Sequence, residues 1–522
     1  YIGFFLGMLR DAFWYRELSF HVSGLWYSVK IMPHFRRLST GYLAVYCLCL
    51  ALWGSAPFVF ASEIPSKTAA AAVSGCLTCH EAMQLDQQHA IACIECHGGN
   101  SAETINKDLA HTNFIAQPAH PDHMQASCGR CHQEQLSTAS LSPHFTLTNK
   151  VNSIRAHFGS NEQLSQPKAV PMASAESAIT SEQALSDDML RRSCLRCHVY
   201  SKGDDYSAVR HGSGCAACHL TFTDGKMTGH NFQLPKDISC LSCHYGNYVG
   251  SDYYGRYEND LPYEYRTPYT ISTKTGFPPR PYGVEYHDLA PDIHQERGMV
   301  CLDCHQGFVH GRASSVTCRS CHEWRPADKP PALSNVRVSE GKLILTGRAS
   351  GKEHLVPQMQ HQAHKEYGQR VDCQVCHAQW SYNDTTTHLL LSYDSDYEPW
   401  FWLTVQGSSE VEKRLEEGLY SYQADDGPAM RDGLSGESRP GMWYKGYTER
   451  RWERMLIGQD AGGMLRVLRP VLDLRLSMAD EDGEPLFDNV RGKDDGLRPY
   501  TPHTTGPAGL FYRDRLKGLS PP

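Results

Sequence analysis

What this chain lacks is more informative than its averages. Once past an apolar leader it has no cysteine outside one repeated unit, so nothing remains for a structural disulfide. It does not begin with methionine, and the first Met that opens a leader-like stretch is Met32. Outside short turns, helical periodicity is scarce. Basic excess is missing too. Without residues 1–61 the chain carries 45 Lys and Arg against 56 Asp and Glu, which argues against a nucleic-acid partner. No cysteine occurs after Cys376, so the last quarter carries none of the repeated chemistry.

What is present is C-x-x-C-H. It occurs nine times, starting at Cys76, Cys93, Cys128, Cys194, Cys215, Cys240, Cys301, Cys318 and Cys373. The second cysteines are Cys79, Cys96, Cys131, Cys197, Cys218, Cys243, Cys304, Cys321 and Cys376. These 18 leave only Cys47 and Cys49 of the 20 cysteines, both in the leader. One C-x-x-C fits a redox dithiol or half a zinc site, but nine copies with histidine at one offset do not. The unit is the attachment motif of c-type haem. Two thiols one turn apart add to the two vinyl groups of a porphyrin, and the adjacent imidazole ligates its iron. The expected cofactor is nine covalent haem c groups, with proximal ligands His80, His97, His132, His198, His219, His244, His305, His322 and His377.

Each iron has room for one more ligand. Beyond residue 61 there are 16 further histidines, several just upstream of a motif. His89, His211, His123, His294 and His364 stand four to nine residues before a first cysteine, and His230 and His310 lie between neighbouring sites. With His111 and His157, the weaker candidates for the last two vacancies, they form the set of nine expected distal ligands, many of them serving a neighbouring haem. For His120, His144, His287, His354, His361, His388 and His503 the expectation is ordinary surface or hydrogen-bonding duty. Two imidazoles per iron would set low potentials, since Met/His ligation raises them. A saturated iron passes electrons and binds no substrate.

The organisation follows from the motifs. Residues 1–31 read as an upstream, non-native extension; the other reading is an extra membrane segment. Residues 32–61 read as a signal peptide, with a basic start at Met32-Pro-His-Phe-Arg36-Arg37, an apolar run, and Val59-Phe-Ala61 before the cut. A haem module with three sites spans 62–159, and a polar linker spans 160–187. A module with five sites covers 188–325, and 326–390 holds a hairpin insertion and the ninth site. Residues 391–522 form a haem-free C-terminal domain. The Tyr- and Pro-rich insertion 245–290 reads as a loop. Alternation around Glu340-Gly341 predicts a hairpin, and Leu472–Met478 predicts a strand with a return from Leu486. Ser409–Glu412 begins a short helix that Gly418 would end. The fold class expected is mostly irregular, with short α-helices around nine haems and a small β-containing cap.

Across residues 76–377 the chain resembles the multihaem c-type cytochromes. Within them it is similar to electron-conduit proteins and, more loosely, to the hydroxylamine oxidoreductase and octahaem tetrathionate reductase group. It departs from that group in having nine motifs and no C-x-x-C-K site. The resemblance implies exported electron transfer, periplasmic or at the cell surface, in anaerobic or extracellular respiration. Partners would be redox proteins: quinol-linked cytochromes, an outer-membrane conduit or a terminal acceptor, with an oligomer or filament in scope. The alternative is an oxidoreductase acting on a small nitrogen or sulfur oxo-compound at one haem with an open distal position. Lys226 and Lys236 are weak candidates for an unusual ligand there, and no catalytic residue is assigned.

Overall fold

The computed structural model describes residues 16–22 and 25–31, and residues 75–517 apart from 82, 84, 174–178, 207–208, 224, 245–248, 260–284, 308–309, 311–315, 383–385, 402–405, 421–426, 447–454, 471, 494–495 and 509–511. The chain divides into two compact units, 1–67 and 68–522. In the first, Arg16–Val22 and Leu25–Ile31 pair as an antiparallel hairpin. The expected signal peptide lies outside the described residues. No helix among the described residues is long and apolar enough to cross a membrane.

In the second unit, secondary structure is short. Among the described residues no α-helix is longer than the 12 residues of Ser409–Tyr420, and the strands form several small sheets. Most motifs seed a single turn, as in Ile94–His97, Ala216–His219, Cys318–His322 and Cys373–His377. Capping side chains begin some of them: Thr317 accepts from the Ser320 amide, and Asp372 from that of Gln374. One turn of helix sets the two thiols of a motif side by side.

The main apolar core is not around the motifs. It joins Val151, Ile154 and Phe158 to Leu185, Met189 and Leu190, and then to Leu391, Met442, Tyr444, Leu476 and Met478. The last five belong to a four-stranded sheet in the order Met442–Lys445, Thr387–Ser392, Leu474–Ala479, Pro485–Arg491. Its central pair is parallel and the outer pairs antiparallel. The predicted strand at 472–478 and its return are therefore present.

Two expectations about organisation fail here. Residues 160–187 are not a flexible linker: Leu164, Val170 and Ile179 are buried, and Glu182–Arg192 is a helix with eight buried residues. Its charges misled the reading because they are paired inside. Arg155 bonds Asp187 at 2.8 Å, Arg192 bonds Asp188 at 2.6 Å, and Arg191 bonds Asp432 at 2.5 Å. Nor is 391–522 a separate domain, since it shares this core with residues 151–195.

The hairpin at Val336–Ser339 and Lys342–Thr346 is present, turning through Glu340 and Gly341 with φ of 50° and 69°. Glu353–Leu355 adds a third strand. The insertion 245–290 is not all loop: it opens on the helix Val249–Tyr253, and Arg256–Asn259 pairs with Glu285–Asp288. Gly418 does not end its helix. It lies inside Ser409–Tyr420, where a Cβ would come within 2.5 Å of the Tyr397 ring.

Candidate functional site

Eight of the nine motif histidines face another histidine at nearly one distance. Ring centroids are 6.3 Å apart for His80 and His111, and 6.1 Å for His97 and His230. They are 6.1 Å apart for His132 and His89, and 6.1 Å for His219 and His310. The values are 6.2 Å for His244 and His144, and 6.3 Å for His305 and His503. For His322 and His294 the distance is 6.0 Å, and for His377 and His364 it is 6.1 Å.

That distance has a chemical meaning. A metal–imidazole bond of about 2 Å on each side, plus about 1.1 Å from nitrogen to ring centre, sums to about 6.2 Å. The two facing nitrogens would then be about 4 Å apart, too far for a hydrogen bond. Ring planes cross at anything from 8° to 82°, so stacking does not set the spacing.

The other ring nitrogen is repeatedly tied down. Nδ1 of His97, His219, His322 and His377 lies 2.8–2.9 Å from the carbonyls of Ile115, Gln233, Pro357 and Gly506. Among the partners, His111 Nδ1 is 2.7 Å from the Lys107 carbonyl, and His89 and His294 donate to Asp86 and Asp292. Donation from Nδ1 leaves Nε2 as the ligand atom and strengthens it as a base. Burial also pushes the pKa of His144 down to about 4 and lowers those of His230, His305, His322, His364 and His503. Neutral imidazole is the form that binds metal.

Six of the nine expected distal histidines are thus in such a pair: His89, His111, His230, His294, His310 and His364. Three are not. His123 lies 6.0 Å from His120, the same spacing in a pair that contains no motif histidine, and His120 Nε2 is 3.2 Å from the Tyr200 carbonyl. His157 is buried beside Phe158 and lines a cavity of about 410 Å³ with Asn149 and Arg498. His211 is buried, with Nδ1 on the Gly212 carbonyl and Nε2 3.7 Å from Cys243 Sγ. Two of the three places are taken by His144 and His503, which sequence spacing assigned to ordinary duty. Both lie far along the chain from the motifs they face, so no local signal marks them. Lys226 is exposed in a two-residue strand, and among the described residues no contact joins it or Lys236 to a motif histidine.

The thiols show how the motifs adjoin. Cys76 meets Cys93, Cys128 meets Cys215, Cys240 meets Cys301, and Cys318 meets Cys373. Cys96 is within electrostatic reach of Cys128, Cys218 of Cys240, and Cys304 of Cys321. Eight motifs therefore form one file, and the Cys194 motif joins it at the side, through Cys197, which lies within electrostatic reach of Cys243. Most of these thiols are raised above the ordinary range, Cys218 and Cys304 to about 12, mainly by burial. That makes them poor redox dithiols as free groups. Among the described residues no group of three or more His, Cys, Asp or Glu side chains converges as a metal cage, as a zinc reading would need.

Residues 391–522 take part directly. Besides His503, the Gly506 carbonyl holds His377, and Val371 and Val375 pack against Leu465, Val467 and Leu516. The hairpin insertion packs Leu343 and Leu345 with Met299 and Trp324, against Cys304 and Cys321.

Comparison with known proteins adds one distant likeness. The high-molecular-weight cytochrome c of Nitratidesulfovibrio vulgaris strain Hildenborough is 27% identical over 157 residues. The match covers 27% of this chain and 26% of that protein, so the chain spans only about a quarter of its relative. No family model and no solved structure matches.

Proposed function

We propose that this chain is an exported nonahaem c-type cytochrome that relays electrons in anaerobic or extracellular respiration. The observation that carries the reading is the set of eight histidine pairs, each containing one motif histidine, at the spacing of two imidazoles on one iron. Haem c supplies a one-electron iron couple, and two nitrogen ligands favour a low potential. The chain's own part is to hold and order the sites. Carbonyls and the carboxylates of Asp86 and Asp292 fix the imidazoles. Thiol-to-thiol neighbours set the order from the Cys76 site to the Cys373 site. The tail presses on the Cys373 end, where a redox partner protein would be received.

A pyridine haemochromogen assay should count nine covalent haems per chain. His144→Ala and His503→Ala should each convert one low-spin haem to high spin in the EPR spectrum, while His388→Ala leaves it unchanged. Unaltered spectra in both of the first two variants would overturn the ligand assignment. A second reading, an oxidoreductase for a small nitrogen or sulfur oxo-compound, is supported by one observation: among the described residues no histidine ring faces His198 at the spacing of the other eight pairs, although His144 and His211 lie within electrostatic reach of it.

A further inference from the structure

The Cys194 motif differs from the other eight in several ways. Its cysteines lie in a 3-10 turn, as the Cys76 motif also begins with one, but His198 leaves the turn in an extended conformation, with φ −75° and ψ 156°. The ring stacks on Tyr200 at 5.2 Å and 13°, not on a histidine. His198 is 4% exposed, and neither ring nitrogen closes a hydrogen bond of ordinary geometry. A buried imidazole left so is costly unless something ligates it.

Its place in the file is also distinct. Cys243, of the Cys240 motif, donates through Sγ to the Cys197 carbonyl at 3.0 Å. The carbonyls of His144 and Phe145 lie against the His198 ring, and His144 itself faces His244. Both links run to the Cys240 site, and among the described residues no cysteine of another motif adjoins Cys194. The site is a side branch.

A cluster of cations stands beside it. Lys150 is within electrostatic reach of Cys194, and Arg469 and Arg498 are within reach of Lys150. Among the described residues no carboxylate comes within ion-pair distance of these three. Arg469 is fixed on Tyr382 Oη at 2.6 Å and over the Tyr500 ring. Lys150 and Arg498 are exposed, and close packing around the ammonium together with the two arginines lowers the Lys150 pKa, as expected of positive charge that no acid offsets. In a chain with an acidic balance, such a cluster is a seat for an anion.

We infer that the Cys194 site is a side branch off the Cys240 site whose iron receives no sixth ligand from the protein and takes a small anion held near Lys150, Arg469 and Arg498. The inference rests on haem c at this motif, as proposed above. The anionic group could be a free small anion or a carboxylate of the porphyrin, and the experiment separates them.

Ferric holoprotein is titrated with azide, and reduced holoprotein with carbon monoxide, after the haems are counted chemically. A chain without covalent haem would overturn the proposed function itself. With nine haems present, one carbon monoxide and one azide bound per chain are expected. Lys150→Gln should weaken azide about tenfold and leave the carbon monoxide stoichiometry unchanged. Joint replacement Cys194→Ala and Cys197→Ala should abolish both while eight haems remain. Unchanged azide affinity in Lys150→Gln would assign the cations to porphyrin carboxylates and overturn the anion seat. No ligand binding at all, binding that survives loss of both cysteines, or a first high-spin haem created by His211→Ala would overturn the open site.

Discussion

The two halves of the second unit are held together by different means. Around residues 148–195 and 389–491, helices and a four-stranded sheet enclose apolar side chains, and even the buried charges are paired. Along the file of motifs, by contrast, helices are short, the longest being Gly129–Ala139, which is kinked at His132. Large apolar side chains stand furthest in the open there: against 53% for Leu486 and 48% for Met172 in the other region, Ile105 is 94% exposed and Leu234 70%. Under the proposed function, these are the residues that meet porphyrin. Apolar macrocycles would supply in the file what leucine and methionine supply in the core. On that reading one chain places its hydrophobic mass in two different materials.

The largest effect should come from withholding that material. Chain produced without haem attachment should keep slow amide exchange in Glu182–Arg192 and Leu474–Ala479. It should lose protection around Ile94–His97, Ala216–His219 and Cys318–His322. Hydrogen exchange read by mass spectrometry measures both at once. Equal protection in the two regions would break the comparison, because the file would then hold itself.

Breaking the core from inside comes next. Arg191 and Asp432 are both nearly inaccessible, and Asp432 also accepts the amides of Leu434 and Ser435. Removing one partner by Arg191→Ala leaves the buried carboxylate with only Arg439, 3.9 Å away, and two amides, at a cost toward the lower end of about 3–5 kcal/mol. Denaturant unfolding should register this as a lower midpoint, with little change in the low-spin spectra of the file. The same pair gives a pH dependence. Burial acts to raise the Asp432 pKa, but Arg191 and the two amides outweigh it and hold it below the usual carboxylate value. Its contribution is present above about pH 4 and lost as pH falls through the folded value. Asp432→Asn should flatten that part of the acid limb.

These regions were unequally legible in the sequence. The motifs could be read at once because covalent attachment fixes residue types at fixed spacing. Hairpins could be read from alternation, as at Val336–Leu345. Pairs such as His144 with His244 and His305 with His503 could not, because chain distance hides them and histidine has many ordinary uses. Glu182–Arg192 was hidden for a different reason. Its Asp187, Asp188, Arg191 and Arg192 resemble a solvated face, and only the fold supplies their buried partners. The tail's role was hidden by its lack of cysteine, although a histidine and a carbonyl suffice to join a site.

The smallest effect tests whether side-chain packing matters anywhere in the file. Gly341 has a φ of 69° and a Cβ there would touch nothing within 4 Å. Gly341→Ala therefore adds no clash and costs only the left-handed backbone conformation, about 1 kcal/mol. The turn it closes holds Leu343 and Leu345, 1% and 4% exposed, over Met299 and Trp324 beside Cys304 and Cys321. If haems carry the file, holoprotein with this substitution should lose only a degree or two of thermal midpoint. The haem-free chain should then lose protection at Lys342–Thr346 more readily than the unaltered chain. A drop in holoprotein as large as that of Arg191→Ala would mean that this small cluster is a second side-chain core. The division between the two materials would then run through the Cys301 and Cys318 sites instead of around them.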